Sequence, residues 1–324
     1  MLTCGGAMQN KLLAIAIPTY KRPAILNENI RAMLPEIQRL GIPVYISDDS
    51  PDDATEIMVA GLRKLHEYVY YTRNAPGFGH DLNFVATVQL PDANYVWYLG
   101  DSVVINPGDL EKAHVTLAQE RPDFLFVNNE KRCNDTSDYI VTDVRGFLQQ
   151  FAWHLTLSGA TIYSHAAASS VQVADVKRWR NFPQLGLIFQ YGLGKNRRVF
   201  WMGSSGVSTN RNKQSYWSST VVTTFAVDWV NLLKDFAAPY TAAQLQEMIR
   251  SHSRHTGIFN WRNVVRYRLN GAFSFTLLKT HRTELEQASD TSYPVLLLIS
   301  ILPIAACQSI VRCLRYIKRT RASL

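Results

Sequence analysis

The chain contains, in this order, the segments Ile17-Pro18-Thr19-Tyr20-Lys21-Arg22, Ser47-Asp48-Asp49-Ser50 and Tyr95-Val96-Trp97-Tyr98-Leu99-Gly100-Asp101-Ser102. Each segment closes a short apolar run of the kind that forms a strand buried on both faces of a parallel sheet. Polar residues then follow at the point where each strand would end. Because the carboxyl ends of neighbouring parallel strands share one crevice, we expect these three polar groups to meet at a single ligand.

Strands and helices are predicted to alternate over the first 130 residues. The predicted strands are residues 12–17, 44–46, 69–71, 95–99 and 124–127. The predicted helices, in which apolar residues recur at helical spacing, are residues 25–37, 55–68, 81–89 and 110–119. This alternation is typical of an α/β fold in which helices flank a mostly parallel sheet.

The charge of the chain is divided unevenly between its two halves. Residues 1–150 contain 13 lysines and arginines against 19 acids, whereas residues 151–324 contain 21 against 7. A basic half of this kind is suited to phosphates or to an anionic surface, although a solvated basic face without a partner has the same composition. A nucleic acid is not expected as a partner.

The cysteines and the amino terminus indicate a reducing compartment. The four cysteines, Cys4, Cys133, Cys307 and Cys313, form neither a CxxC pair nor a spaced Cys/His finger. They are therefore expected to be ordinary thiols. The first residues lack the basic flank, apolar core and cleavage site of a signal peptide, so secretion is not expected.

The order of these motifs resembles the nucleotide-sugar half of the family 2 glycosyltransferases. The resemblance rests on residues 17–22, 48–50, 73–83 and 95–101, and it extends with consistent order and spacing over residues 11–112. Within that family the chain looks closest to the bacterial surface-polysaccharide branch that includes abequosyltransferase-like enzymes. The resemblance implies the GT-A fold, a Rossmann-like nucleotide-diphospho-sugar transferase fold.

The domain organisation follows from the same resemblance. Residues 1–215 are expected to form the GT-A glycosyltransferase domain. Within it, residues 1–112 would hold the nucleotide sugar and residues 113–215 the acceptor. Residues 216–324 are predicted to be a helical C-terminal region that associates with a membrane.

The resemblance also implies a bound nucleoside diphosphate sugar at the crevice. Asp48 or Asp49 can accept hydrogen bonds from a nucleobase, and Arg22 and Arg73 can meet the diphosphate through their guanidinium groups. An Asx-rich turn that caps the next helix is the alternative for the two aspartates, and exposed loop positions are the alternative for the arginines. The residues predicted to bind the donor are Pro18, Thr19, Tyr20, Arg22, Asp48, Asp49, Arg73, Asn74, Asn83, Gly100 and Asp101.

Asp101 is the predicted catalytic and metal-binding acid. Related enzymes place two or three acids after this strand, in an Asp-x-Asp-like group that holds a divalent metal against the diphosphate. Here Asp101 is followed by Ser102 and Val103. Three possibilities remain open: Asp101 binds Mn²⁺ or Mg²⁺ with help from Ser102 and phosphate oxygens, basic residues replace the metal, or activity has been lost. We favour the first, a weakened metal site.

No motif identifies the general base that would deprotonate the acceptor. Many inverting members of the family carry a Glu-Asp pair downstream, and here Gln184 occupies that neighbourhood, where an amide cannot act as a base. The candidates by chemistry are His154, His165 and Asp175, of which we favour His165 and Asp175. A structural polar role is the alternative for each.

The C-terminal region is predicted to contain helices at residues 221–233 and 242–254 and an amphipathic helix over residues 261–278. Residues 293–311 are uncharged, and the basic tail 312–321 follows them. This apolar segment approaches the roughly 20 residues that cross a bilayer. Because it contains Pro294 and Pro303, we favour a monotopic segment held in one leaflet by the basic tail. A buried terminal helix is the alternative.

Together these patterns predict a glycosyltransferase at the cytoplasmic face of the bacterial inner membrane. It would move a sugar, with inversion, from a nucleotide-diphosphate donor to an undecaprenyl-diphosphate-linked glycan during surface-polysaccharide assembly. An anionic membrane surface would be its second partner. The rival hypothesis is a catalytically inactive GT-A-fold protein that binds a nucleotide sugar or acts as a scaffold in the same pathway.

Overall fold

The structure, a computed structural model, describes residues 11–210 and 216–322. Side chains are described over the same ranges, except for Tyr216 and residues 317–322. Cys4 and the side chains of Lys318, Arg319 and Arg321 in the predicted basic tail therefore lie outside the described residues. The chain divides into two units, Met1–Lys213 and Gln214–Leu324.

The first unit alternates strands and helices. Its strands are β1 (Leu13–Thr19), β2 (Val44–Asp48), β3 (Val69–Arg73), β4 (Tyr95–Tyr98), β5 (Val103–Ile105), β6 (Phe124–Val127), β7 (Asp138–Val141), β8 (Thr161–Ser164), β9 (Val199–Met202) and β10 (Val207–Thr209). Its helices are α1 (Pro23–Leu40), α2 (Ala54–Arg63), α3 (His80–Gln89), α4 (Asp109–Glu120), α5 (Val144–Phe151), α6 (His165–Ser170), α7 (Val173–Arg178) and α8 (Pro183–Gly192), with a 3-10 turn at Asn129–Lys131.

Eight of the described strands form one mixed sheet in the order β3-β2-β1-β4-β8-β6-β9-β7, and β5 pairs separately with β10. Strands β1 to β4 are parallel to one another, β8 is antiparallel to both β4 and β6, and β9 is parallel to β6. The carboxyl ends of β1, β2, β4, β6 and β9 therefore open on the same edge. This architecture confirms the predicted α/β class and its mostly parallel sheet.

Strand β1 is central and is longer than its sequence predicts. Its apolar residues are buried on both faces, and it continues through Pro18 to Thr19. Proline is tolerated there because β4 pairs only with Leu13 to Ala16, so the missing N–H of Pro18 would have no ladder partner. The extension carries Thr19 to the edge of the sheet beside Asp48, its register partner on β2.

Helix α1 connects β1 to β2 and packs an apolar stripe on the sheet. Leu26, Ile30 and Ile37 are buried on that stripe. The helix ends where Gly41 adopts the left-handed conformation, with φ of 62°, which glycine enters without a steric penalty. Its amino end lies directly after β1, so this end of the helix faces the crevice.

The second unit contains only helices among its described elements. A 3-10 turn (Tyr216–Ser219) and a π-helix (Thr223–Asp228) lead into α9 (Trp229–Asp235). The others are α10 (Ala242–Thr256), α11 (Trp261–Leu269), α12 (Phe275–Thr280), α13 (Arg282–Ala288), α14 (Tyr293–Ile301) and α15 (Ile304–Ala322).

The prediction of one amphipathic helix over residues 261–278 is wrong. The segment is two helices, because Gly271 adopts a left-handed conformation, with φ of 79°, directly after α11. Ser274 then starts α12 by accepting a hydrogen bond from the backbone N–H of Leu277 through its hydroxyl. The arginines of α11 are therefore carried by a helix of only nine residues.

The apolar segment 293–311 is also broken into two helices. Leu302 is extended, with ψ of 137°, as expected for a residue before proline, and Pro303 cannot continue α14. The side chain of Arg268 donates from Nε to the carbonyl oxygen of Leu302 (3.3 Å). Among the described helices, none is individually long and apolar enough to cross a membrane, whereas Tyr293–Ile301 and Ile304–Tyr316 meet that criterion only as a pair bent by 114°.

Candidate active site

The crevice at the carboxyl edge of the sheet brings together the ends of β1 and β4. The hydroxyl of Thr19, at the end of β1, donates to Oδ2 of Asp101 (3.3 Å). The backbone N–H of Asp49, just after β2, donates to the carbonyl oxygen of Thr19 (3.0 Å). The three polar segments that the sequence predicts to converge are therefore joined by hydrogen bonds around one residue, Thr19.

Asp101 is buried and is held on three sides. Besides the bond from Thr19, its Oδ1 accepts from a terminal nitrogen of Arg22 at 3.2 Å. Its backbone carbonyl oxygen accepts from the side-chain amide of Asn29 at 2.8 Å. Because Arg22 and Asn29 both belong to the first turns of α1 or to its cap, this helix fixes the acid in place.

Asp48 is fully buried and has an internal role. Its Oδ1 accepts from the backbone N–H (2.9 Å) and the hydroxyl (2.5 Å) of Ser50, and its Oδ2 accepts from the hydroxyl of Tyr71 (3.0 Å). Burial and the bond to this carboxylate both contribute to raising the pKa of Tyr71. These bonds match the Asx-turn alternative for Asp48, so its side chain shapes the turn after β2.

Asp49 is the more accessible of the two aspartates. Its Oδ1 accepts from the side-chain amide of Asn74 (2.7 Å) and its Oδ2 from the backbone N–H of Gly79 (2.8 Å). Asn74 and Asn83 are both buried and are linked to each other and to the hydroxyl of Ser47. The network holds the loop after β3 against β2 and leaves the Asp49 carboxylate at the surface of the crevice.

Arg73 is not brought together with Arg22 and Asp101. Its terminal nitrogen forms an ion pair with Glu56 of α2 (2.7 Å), and its Nε donates to the hydroxyl of Tyr71 (3.3 Å). The bond to Tyr71 is the main cause that raises the pKa of Arg73. The guanidinium that lies beside Asp101 is that of Arg22.

The remaining predicted donor residues line the rim or the walls of the crevice. Tyr20 is 55% exposed and its ring lies 5.2 Å below the ammonium group of Lys21. Pro18 is paired in register with Ser47 inside the sheet. A Cβ at Gly100 would approach the Ser158 Cβ to 3.3 Å, so this position keeps the loop before β8 close to Asp101.

The predicted catalytic role of His165 conflicts with its position, whereas that of Asp175 stays a prediction. The backbone N–H of His165 donates to the carbonyl oxygen of Asn94, which precedes β4, so His165 lies at the opposite edge of the sheet from Asp101. Asp175 accepts from Gln190 near the end of α8 (3.2 Å), about 9 Å along that helix from Gln184.

His154 is a structural residue. It is fully buried, and its Nε2 lies 3.0 Å from the carbonyl oxygen of Val127 and 3.2 Å from the backbone nitrogen of Asn129. Burial lowers the pKa of His154 to about 4. A neutral ring enclosed in this way holds the turn after β6 and does not reach the crevice surface.

Sequence reasoning missed Glu130, which follows β6 at the same edge. Its backbone is left-handed, with φ of 53°, an uncommon conformation for a residue with a side chain. Burial raises its pKa, but hydrogen bonds from Thr209 and Arg132 outweigh burial and lower it. Thr209 pairs with Val103, two residues after Asp101. The signal was present, because Asn128-Asn129-Glu130 directly follows an apolar run, as the other site segments do.

Asn29 and Asn210 were missed as well, and they support the acid through its backbone. Asn210 donates from its backbone N–H to the carbonyl oxygen of Ser102 (2.8 Å). Its side-chain amide donates to Oδ1 of Asn29 (3.2 Å), and Asn29 in turn donates to Asp101. The two asparagines are 181 residues apart in the sequence, so no local pattern predicts their contact.

Comparison with known proteins places this crevice in a family. Residues 14–170 match the family described as Glycosyl transferase family 2. The chain carries a family 2 glycosyltransferase domain. A curated relative, abequosyltransferase RfbV from Salmonella typhimurium, is 29% identical over 125 residues, which are 38% of this chain and 38% of that protein. The family 2 domain contains the whole Thr19–Arg22–Asp101 cluster.

Solved structures identify the fold of the family 2 domain as GT-A. S. aureus TarS 1-349 in complex with UDP-GlcNAc superposes with a TM-score of 0.59 at 13% identity, covering 94% of this chain and 92% of that chain. The mannosyltransferase PcManGT from Pyrobaculum calidifontis, in complex with GDP-Man and Mn²⁺, gives 0.53 at 12% identity, covering 98% and 85%. Identities this low establish the fold.

The donor set around Asp101 fits a divalent metal poorly, because its carboxylate is already paired with Arg22. Mg²⁺ in phosphate-binding sites is commonly held by one or two carboxylates together with phosphate oxygens and water, so a carboxylate that is free to bind it is the minimum requirement. Within residues 11–210 and 216–322 no group of three or more His, Cys, Asp or Glu side chains could hold a metal ion. Both Asp101 oxygens already accept from Arg22 and Thr19, and the carboxylates of Asp48 and Asp49 are bonded to other donors. The metal ligand predicted at Asp101 thus has a guanidinium beside it instead of further acids.

Proposed function

We propose that this chain is a glycosyltransferase that transfers a sugar from a nucleoside-diphosphate donor. The observation that carries the proposal is the meeting of Thr19, Arg22 and Asp101 at the carboxyl edge of a GT-A sheet within a family 2 domain. In open α/β sheets ligands bind at this edge. The relative TarS has been crystallised with UDP-GlcNAc and PcManGT with GDP-Man, which supports a nucleotide sugar as the donor class.

Each crevice residue has a role in this proposal that follows from its chemistry. Asp49 accepts hydrogen bonds from the nucleobase edge, and Tyr20 covers the base and ribose with its exposed ring. Arg22 contacts the diphosphate. Asp101 orients Arg22 from the buried side of the crevice.

The proposed acceptor is a lipid-linked glycan, of the undecaprenyl-diphosphate class, in bacterial surface-polysaccharide assembly. Similarity to an abequosyltransferase supports this assignment. The bend between α14 and α15 adds support, because Leu298, Ile301 and Ile304 are large, apolar and exposed there. Arg312 and Arg315 are exposed on the following turns of α15. Apolar side chains next to arginines suit the anionic surface of the inner membrane, at its cytoplasmic face.

Transfer is proposed to proceed with inversion by direct displacement. The acceptor hydroxyl oxygen bonds to the anomeric carbon while the bond from that carbon to the β-phosphate oxygen breaks, and the nucleoside diphosphate leaves with the electron pair. The hydroxyl proton passes to Glu130. Glu130 replaces His165 and Asp175 as the candidate base because it follows β6 at the same edge of the sheet as Asp101.

Replacing Glu130 with glutamine tests this assignment. Glu130→Gln should lower kcat by about 10²-fold to 10⁴-fold, the usual contribution of a general base, and leave the KM for the donor nearly unchanged. The control is Glu120→Gln, since Glu120 is a carboxylate that pairs with Arg198 on the unit surface. An unchanged kcat for Glu130→Gln would remove Glu130 from the mechanism.

Nucleotide titration tests the proposed function directly. UDP, GDP, dTDP and CDP are each added to the full chain, with and without Mn²⁺, and binding is followed by calorimetry and by thermal shift. One nucleotide should bind and raise the unfolding temperature, because a ligand that binds the native state stabilises it. If none of the four binds under either condition, the donor assignment is wrong.

A second candidate function, a catalytically inactive nucleotide-sugar-binding or scaffold protein, is favoured by the single acid at residue 101. Complementation separates the two. In a strain that lacks this protein, Asp101→Ala should fail to restore the surface polysaccharide if the chain is an enzyme. Full restoration by Asp101→Ala would favour the scaffold.

A further inference from the structure

We propose that the guanidinium of Arg22, instead of a divalent cation, neutralises the donor diphosphate in this chain. The inference rests on the proposed function, since it concerns how the same crevice holds the donor. It assigns Arg22 as the positive group of a metal-independent site and Asp101 as the residue that positions it.

Arg22 is anchored to a buried carboxylate at the crevice. Arg22 lies directly before α1, and its terminal nitrogen is 3.2 Å from Oδ1 of Asp101. The Arg22 side chain is 30% exposed and the Asp101 side chain 10%. The Asp101 carboxylate is therefore buried beneath Arg22, while the Arg22 guanidinium reaches the crevice surface. Thr19 and Asn29 hold Asp101 from two other directions, so the arginine is anchored to a fixed group.

The charge around Asp101 disfavours a divalent cation. A divalent cation at this carboxylate would lie within a few ångströms of the Arg22 guanidinium, and the two positive groups would then compete for one protein carboxylate. To bind there, the cation would have to displace Arg22 and still lack a second protein carboxylate. The side chain after Asp101 is Ser102, which is buried, and Val103 after it belongs to β5. The site therefore favours the Arg22 guanidinium over a divalent cation.

A guanidinium can also do the work that the diphosphate requires. Its planar fork matches two phosphate oxygens at once, and it stays protonated at all physiological pH values. The amino end of α1, which begins at Pro23, adds its partial positive charge on the same side. When the bond to the anomeric carbon breaks, the leaving diphosphate gains negative charge, and Arg22 stabilises it without giving up a proton.

The test compares metal-free and metal-loaded binding in the full chain. Calorimetry measures the affinity for the nucleoside diphosphate that binds best, first with EDTA and then with Mn²⁺. We expect the two affinities to agree within about twofold. Arg22→Gln should weaken binding in EDTA by about tenfold to a hundredfold, the range for a hydrogen bond to a charged group. Arg22→Lys, which keeps the charge without the fork, should lie between the two.

The matched control is Arg31→Gln on the same helix. Arg31 is exposed and bonds only to Asn27 among the contacts described for it, so nucleotide affinity should not change. Thermal unfolding of each variant checks that α1 is intact. The comparison of EDTA with Mn²⁺ uses the unaltered chain, so it does not depend on the folding of any variant.

Two results would separate this inference from the proposed function. If the nucleotide binds with Mn²⁺ but not with EDTA, the role of Arg22 is overturned and the glycosyltransferase proposal stands. The same conclusion follows if Arg22→Gln binds the nucleotide in EDTA as tightly as the unaltered chain. If no nucleotide binds under either condition, the proposed function itself fails and the inference fails with it.

Discussion

Asp48 and Asp49 are neighbours in the sequence, but their carboxylates meet different surroundings. Successive residues at a strand end point to opposite sides, so Asp48 enters the interior and Asp49 reaches the crevice. The Asp48 carboxylate satisfies three donors inside the turn, whereas that of Asp49 satisfies one amide and one backbone N–H at the surface. One pair of identical residues thus supplies a buried structural carboxylate and an accessible one, to which the proposed function assigns recognition of the nucleobase.

Substitution of each aspartate should separate these roles. Asp48→Asn leaves buried donors of Ser50 and Tyr71 without their full acceptor, and we expect a loss of about 2–4 kcal/mol in the free energy of unfolding. Asp49→Asn keeps an amide oxygen for Asn74 and should change stability by less than about 1 kcal/mol while weakening nucleotide binding. Denaturant titration and calorimetry measure the two effects. Equal destabilisation by both variants would contradict this division.

His154 should make the stability of the first unit depend on pH. Its pKa is about 4 in the folded chain and near 6.5 when unfolded, so the unfolded state binds the proton first as the pH falls. Stability is complete above about pH 6.5 and decreases toward pH 4, by about 3 kcal/mol from this residue.

Comparison with His154→Gln isolates that contribution. Urea unfolding of both proteins at several pH values gives the difference in stability, and the variant should lose less stability between pH 6.5 and 4 than the unaltered chain. Parallel curves over that interval would show that His154 is not the titrating group.

At the scale of the element, helix α8 depends on a glycine that contacts an indole ring. A Cβ at Gly186 would lie 2.0 Å from the ring of Trp179, which is buried and cannot move aside. Gly186→Ala should therefore destabilise the chain by about 1–3 kcal/mol through overpacking. The control is Gly61→Ala in α2, where a Cβ meets nothing within 4 Å and alanine should add about 0.5–1 kcal/mol. Thermal unfolding of both variants measures the contrast, and a neutral Gly186→Ala would contradict it.

The sequence predicts the elements that carry unbroken apolar runs. Residues 44–46, 95–98 and 124–127 are strands in the structure because most side chains of each run are buried by their neighbours, and residues 69–71 form the edge strand β3 with Tyr70 exposed. The antiparallel insertion of β8 between β4 and β6 is not predictable from its four residues, since the pairing depends on strands far away in the chain.

The same contrast holds within the site. Thr19, Arg22 and Asp101 follow strands and could be identified from that position alone. Glu130 also follows an apolar run that forms a strand, so the same pattern identifies it. The Asn29–Asn210 contact joins distant segments, and no local pattern predicts it. Asp175 is predicted from residue chemistry alone, whereas His165 follows β8, an antiparallel strand that ends at the opposite edge of the sheet from Asp101. Position after a strand that runs parallel to β1 is therefore a better guide than the type of side chain.

At the scale of the whole molecule, the acidic and basic halves suit a protein that holds a soluble donor and contacts a membrane. The second unit should bind vesicles of anionic lipid and bind neutral vesicles weakly, with binding reduced by salt. Leu298→Glu combined with Ile301→Glu should abolish sedimentation with vesicles. The control is Ile57→Glu on α2, an equally exposed apolar residue in the first unit. Retention of vesicle binding by the double variant would exclude the bend as the contact.

The proposed membrane contact at the bend between α14 and α15 would have a consequence for the shape of the membrane itself. With nine residues, α14 extends about 14 Å, roughly half of the 30 Å hydrocarbon layer, and the chain then turns back by 114° at Pro303. A helix of this length, inserted into one leaflet, would increase the area of that leaflet and leave the area of the other unchanged. The protein should therefore concentrate where lipids are loosely packed and bind small, strongly curved vesicles more tightly than flat bilayers of the same composition.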